Sequence, residues 1–356
     1  MTSNPTADSA RLRNLILIIA GAAIVLATYL YLVIGQQAEL KDSSTGPAGL
    51  IAMAGYLIGA ILIAMGSIHR LSTNTVAMIP VAIALNIAVG QLTASVGLPV
   101  YLDSIGTVLV SALAGPAAGV VTGILSNVIW GFLGNPVALP FAVVQVVIGV
   151  MAGYAARLGM FRTIWAAPIA GAATGLVAAV TSSPISAFIY GGATGGGTGA
   201  LVGIFQAMGQ SLLAATTLQG LVSDPLDKLI TFTVVTLLLL ALPARFIQRF
   251  PFAREHRVFS RQPAEVVLVG TPGSQEHPEA GRVLVFGIVG LFLFPFAVAA
   301  WVTGSRVKWE MSEHPGHYRD STGLQVGFVL GMVATVLWTI AIIAGLIAFA
   351  SVVLAA

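Results

Sequence analysis

Three aspartates and a lysine interrupt otherwise apolar stretches of this chain: Asp103 at the head of LDSIGTVLVSALAG, and Asp224, Asp227 and Lys228 within SDPLDKL. An ionised side chain without a partner inside a bilayer is costly, so residues of this kind pair, cap helices or line a cavity that a solute enters. Asp224 stands immediately before Pro225. A carboxylate there satisfies the free amides of a first helical turn and proline suits the first position, so the expectation is a helix that begins at Pro225 with Asp224 as its cap. Asp227 is expected on a pocket wall, against the alternative of a simple pair with Lys228. Asp103 either lines the same pocket or caps the helix that follows it. Amides and rings recur at neighbouring positions: Asn127, Trp130 and Asn135 close one apolar run, Gln145 lies in the next, and Tyr190 ends another. Together they suit a small, flat, polar ligand that is stacked and hydrogen-bonded, while Trp130 and Tyr190 also suit ordinary interface anchors. Three acids at one mouth lean that ligand toward a cationic or amine-bearing compound.

The elements that must position these residues are membrane helices. Apolar residues make up 57% of the 356 and charged residues 8%, whereas soluble domains carry roughly 25% charge. Mean hydropathy is +0.95 and the pI near 9.4; we read the basic excess as topology rather than nucleic-acid binding. Without cysteine there are no disulfides or thiolate metal sites. Apolar runs of crossing length give ten expected spans: Leu15 to Ile34, Leu50 to Ile68, Val76 to Ala94, Leu102 to Gly115, Pro116 to Phe132, Pro140 to Ala156, Trp165 to Tyr190, Lys228 to Phe246, Leu284 to Thr303 and Val326 to Val353. The N-terminal run is long and lacks a small-x-small cleavage site, so it is expected to be a span and not a signal peptide. The fourth and fifth spans rest on Gly115-Pro116, because proline removes a helical donor and clashes with the preceding turn. With the N-terminus inside, eleven of the sixteen basic residues then fall on the cytoplasmic side. Reading Leu102 to Phe132 as one span would put Arg157 and Arg162 outside.

This gives an all-α polytopic protein in four parts: a helix pair over residues 1–72, a six-helix core over 73–249, a cytoplasmic linker over 250–282 and a second helix pair over 283–356. The linker mixes charge, proline and glycine and cannot bury a core. A polar loop over residues 36–46 and another over 304–323 are expected outside. Between Tyr190 and Asp224 the glycine-rich segment GGATGGGTGALVGIFQAMGQSLLAATTLQGLVS is expected to act as a lid, with Gln206 and Gln210 on one face of a short helix turned to the ligand.

In the core, Ala84-x-x-x-Ala88, Leu102-Asp103, Leu113-Ala-Gly-Pro-Ala-Ala-Gly119, Ser126-Asn127 and Asp224-Pro225-Leu226-Asp227-Lys228 together resemble the S components of energy-coupling factor (ECF) transporters. The resemblance covers about half of the chain. It implies a six-helix subunit that captures a vitamin, a precursor or a similar micronutrient, helped by a transmembrane coupling subunit and two cytoplasmic ATPases. It also implies that Ala77, Ala84 and Ala88, on one helical face, dock on the coupling subunit; packing within this chain is the alternative. In riboflavin-binding members a side chain just after a proline contacts substrate, which by resemblance points to Asp227. The substrate-binding set is thus Asp103, Asn127, Trp130, Asn135, Tyr190, Gln206, Gln210, Asp227 and Lys228.

An enzyme is not expected. The sequence has no G-x-x-x-x-G-K-[ST], no H-E-x-x-H and no histidine in an expected span. His314 and His317 beside Glu310 and Glu313 offer metal-ligand types, or simply a solvated loop; no cofactor is expected. The location implied is the cell membrane, with both termini cytoplasmic. A ligand-sensing module that works with a separate signalling partner is the second reading.

Overall fold

In a computed structural model the described residues are 5–35, 47–69, 71–97, 99–163, 165–242, 244–258, 277–290, 293–313, 318, 321, 323–335 and 338–339. Their regular structure is helical, with no strand among them. Five helices are long and apolar enough to cross a membrane: Ser9–Ile34, Gly49–Ile68, Thr73–Val96, Pro116–Leu133 and Ala166–Tyr190. The expected outer loop over 36–46, part of that over 304–323, most of the linker, and His314 and His317 lie outside the described residues.

The chain divides into two compact units, one of Met1–Val235 with Gln248–Val258, the other of Thr236–Ile247 with Phe259–Ala356. In the first, α1 (Pro5–Leu30) and α2 (Pro47–Ile68) form an antiparallel pair. That pair packs on α5 (Pro116–Leu133) and α6 (Ala142–Arg157) through Ala60, Ile63, Val120, Ile124 and Ala142. α3 (Thr73–Val96) buries Thr75, Ile79, Ala82, Ile83, Asn86, Gly90 and Thr93, a stripe of helical period. α4 (Ile105–Ala114) has 10 residues and rises about 15 Å, half of a hydrocarbon core.

α4 stops where the sequence says it must. Gly115 takes φ 91°, a region that glycine enters without a side-chain clash, and Pro116 opens α5. The Phe252 ring lies against this turn, and the Arg162 guanidinium donates to the His256 and Arg257 carbonyls at 2.7 and 2.8 Å. These contacts gather at one end of the bundle. The loops 97–104, 134–141 and 191–195 gather at the other, beside α7 (Ala166–Tyr190), α8 (Gly196–Ala207) and α9 (Leu212–Ala241).

Two expectations are corrected. The helix expected to start at Pro225 starts at Leu212 and carries Pro225 inside it, so Asp224 caps nothing. The tolerated proline is explained by α7: a Cβ on Gly175 would lie 2.3 Å from the Asp224 carbonyl oxygen, so α7 packs tightly on α9 where the ladder is interrupted.

The second unit overturns the ninth span. After the short helices α10 (Ala244–Ile247) and α11 (Pro251–Glu255), the latter in the first unit, come α12 (Ala280–Gly290) and α13 (Phe294–Glu313). Val283 shares a cluster with Val307, and His277 Nε2 lies 3.2 Å from Glu310 Oε2, so α13 folds back along α12. Leu284 to Thr303 is therefore a hairpin, turned beside Gly290 and Pro295. Its charged end, expected outside, lies beside the end of the linker. α14 (Gly323–Thr335) starts at that same end, with Leu324 in the cluster of Val283 and Val307.

Candidate functional site

Because α4 and α6 are short, the loop-rich end of the first unit is filled by irregular chain and by a cavity of about 110 Å³. Its wall takes Asp103, Asn127, Trp130 and Asn135 from the loops and helix ends, and Asp224 and Lys228 from α9. The volume holds on the order of ten waters, or a ligand of similar heavy-atom count.

Side chains at this wall are fixed from behind. Asn86 on α3 donates to Thr107 Oγ1 and Ser126 Oγ, both at 2.9 Å, and accepts from the Gly106 amide at 2.6 Å. Thr107 Oγ1 in turn donates to Gln145 Oε1 at 2.9 Å, which presents the Gln145 amide to the cavity. A buried network satisfied in this way gives one arrangement of α3 to α6, since any break would strand a polar group.

The loop between α3 and α4 is gripped from α9. Asp227 Oδ1 accepts the Leu102 amide at 2.7 Å and the Tyr101 amide at 3.2 Å, while Oδ2 pairs with Lys228 Nζ. Leu102 takes φ 49°, unfavourable for a residue with a side chain, and the charged acceptor stabilises it there. Lys228 Nζ also donates to Ser104 Oγ at 2.9 Å and lies 3.7 Å from Asp103 Oδ1. One ammonium thus faces Asp103 and Asp227, and Asp224 sits one turn away on the same face of α9.

The expected site residues separate. Asp103, Asn127, Trp130, Asn135 and Lys228 line the cavity. Asp227 is 0% exposed and sits behind the wall, holding backbone rather than facing a ligand. Tyr190 stands outside, its hydroxyl on the Val137 carbonyl at 3.3 Å and its ring stacked on Phe141, which does line the cavity. Gln206 and Gln210 are exposed and share no helical face, because α8 ends at Ala207 and the chain turns at Gly209 (φ 85°) before Gln210. Over the mouth lie Thr194, Gly195 and Thr198 at the start of α8, where Thr194 Oγ1 is 3.3 Å from the Tyr101 hydroxyl. Ala77, Ala84 and Ala88 are exposed on the side of α3 away from its buried stripe.

Asp224 is the wall residue that sequence reasoning assigned elsewhere; it is 6% exposed and accepts from Ser182 Oγ at 3.3 Å. Tyr101, Ser186 and Gln219 also line the cavity. Gln219 and Asn86 were legible as intramembrane polar residues, whereas nothing in the sequence marked Tyr101 or Ser186. Two buried oxygens at the wall lack a partner among the described residues, Asn127 Oδ1 and Ser186 Oγ, in residues 2% and 5% exposed. Buried polar atoms are normally satisfied, so these two mark where a bound molecule would complete the bonding. Chemically the arrangement can hold a charge between carboxylates, stack a ring on Trp130 or Tyr101, and bond its edge. Searches against protein-family models, curated proteins and solved structures find no match to this chain.

Proposed function

We propose that this chain is the substrate-capturing membrane subunit of an ECF-type importer, binding a small micronutrient-like molecule from the outer side of the cell membrane and relying on a coupling subunit and two ATPases for energy. In this reading the N-terminus is cytoplasmic, the loop-rich end faces out, α4 and α6 complete their crossings with the adjoining loops, and residues 191–198 close over the ligand. The observation that carries it is the cavity at one end of the core, with charged groups on its wall and two buried oxygens awaiting partners. The exposed Ala77, Ala84 and Ala88 support docking over internal packing, because no described residue covers them.

The test is purification of the tagged full-length chain from its native membranes in mild detergent, with companions identified by mass spectrometry. A membrane coupling subunit and ABC-type ATPases are expected. Ala84→Leu should lose them and keep the melting midpoint, since added bulk on an exposed face blocks only close helix approach. A kinase among the companions would favour sensing, and a collapsed fold in Ala84→Leu would overturn docking through this face.

A further inference from the structure

The cavity has two chemically distinct parts. On the α9 side, Asp103 and Asp224 flank Lys228, whose short contact is with Asp227. Among the described residues lining the cavity, Lys228 is the one basic side chain. With every carboxylate ionised, three acids face one ammonium, and buried carboxylates in excess need a counter-charge. Asp224 has the weakest provision of the three: among the described residues its one hydrogen-bond donor is the neutral Ser182 hydroxyl.

The remaining wall is neutral. Among the described residues Asn127 Oδ1 is an acceptor with no donor and Ser186 Oγ has no partner, both buried. Trp130 and Tyr101 also line the cavity, and their faces attract a cation and accept a flat ring. About 110 Å³ suits one six-membered ring with a small substituent.

Resting on the capture reading above, we infer that the ligand is a compact, flat, monocyclic organic cation, its positive group held by Asp224 together with Asp103, its ring against Trp130, and an N–H donated to Asn127. The orphaned Asn127 Oδ1 is observed independently of the acids, and it too calls for a donor-bearing ligand, while the Ser186 hydroxyl can accept or donate. Asp227, fully committed to the loop and Lys228, takes no part in recognition.

Benzamidine, benzamide and benzoate test this directly. They share a ring and a planar substituent and differ in charge: positive, neutral and negative. Binding to the full-length protein in lipid nanodiscs, read by tryptophan fluorescence and by calorimetry, should favour benzamidinium over benzamide by roughly tenfold or more, with benzoate weakest. Asp224→Asn should reduce benzamidinium to about the affinity of benzamide, and Asp224→Glu should restore part of the preference. Gln206→Ala should change nothing. Equal or tighter binding of benzamide or benzoate to the wild type overturns the inference, as does full cation preference in a folded Asp224→Asn protein. If that variant does not fold, the wild-type ranking decides alone. Preference for benzamide or benzoate that depends on Trp130 would leave the capture reading standing and sink only the ligand class; no binding of any of the three would sink both.

Discussion

Asp227→Asn separates a residue that holds the scaffold from one that meets a ligand. Asparagine keeps an oxygen for the Leu102 and Tyr101 amides, now at 2.7 and 3.2 Å, but removes the charge. Turning two charge-assisted bonds into neutral ones costs roughly 1 kcal/mol each. Lys228 loses its closest partner, and breaking a buried pair from one side costs about 3 to 5 kcal/mol. Asp103, 3.7 Å from the same ammonium, offsets part of that second loss. The net expectation is a destabilisation of about 4 kcal/mol. At roughly 2 to 4 °C per kcal/mol, the thermal midpoint in detergent, followed by near-ultraviolet circular dichroism, should fall by on the order of 10 °C. Asp227→Asn combined with Lys228→Met should recover only part of the loss, because the ammonium that lacked its closest partner is gone and the loop acceptor remains, while Asp103 loses the ammonium 3.7 Å away. A single variant with a midpoint within about 2 °C of wild type but without benzamidinium binding would refute this reasoning and return Asp227 to the wall. So would a double variant no more stable than the single one.

Two further outcomes follow from the packing. Cysteines placed at Glu279 and Glu313 should react with a membrane-impermeant maleimide from the same side of the membrane, since His277 and Glu310 meet in the α12–α13 hairpin; reaction from opposite sides would restore a single span. Gly175→Leu should lower the melting midpoint by an amount equivalent to about 3 kcal/mol or more, because its Cβ would lie 2.3 Å from the Asp224 carbonyl oxygen; an unchanged midpoint would show that α7 and α9 are less tightly apposed.

What the sequence made legible was mostly covalent. Gly115-Pro116 joins a residue free to take positive φ to one that lacks a helical donor, and the hairpin of α4 and α5 forms there. The same punctuation, Gly290 and Pro295, stood inside the expected ninth span and was outweighed by the length of its apolar run. Pro225 shows the converse case. Proline at a helix start and proline tolerated inside a membrane helix look alike in sequence, and only the close approach of Gly175 distinguishes them, so Asp224 was read as a cap. Gln206 and Gln210 would share a face by their spacing only if one helix held both, and spacing does not say where a helix ends: α8 stops at Ala207. The Asp227 clamp was illegible for another reason: it acts on main-chain amides, which every residue carries. Asn86 could be suspected, as a polar side chain in an apolar helix, but its three partners come from two other helices.

That clamp has a consequence for how the site can change over generations. Asp227 grips the backbone of residues 101 and 102, while the side chain of Tyr101 lines the cavity. Substitution at Tyr101 alters what a ligand touches and leaves the bonds that set the loop untouched. Selection can therefore retune this part of the wall one residue at a time, with no intermediate that must first lose and then regain its fold, whereas Asp227, which touches no ligand, is the position least free to vary.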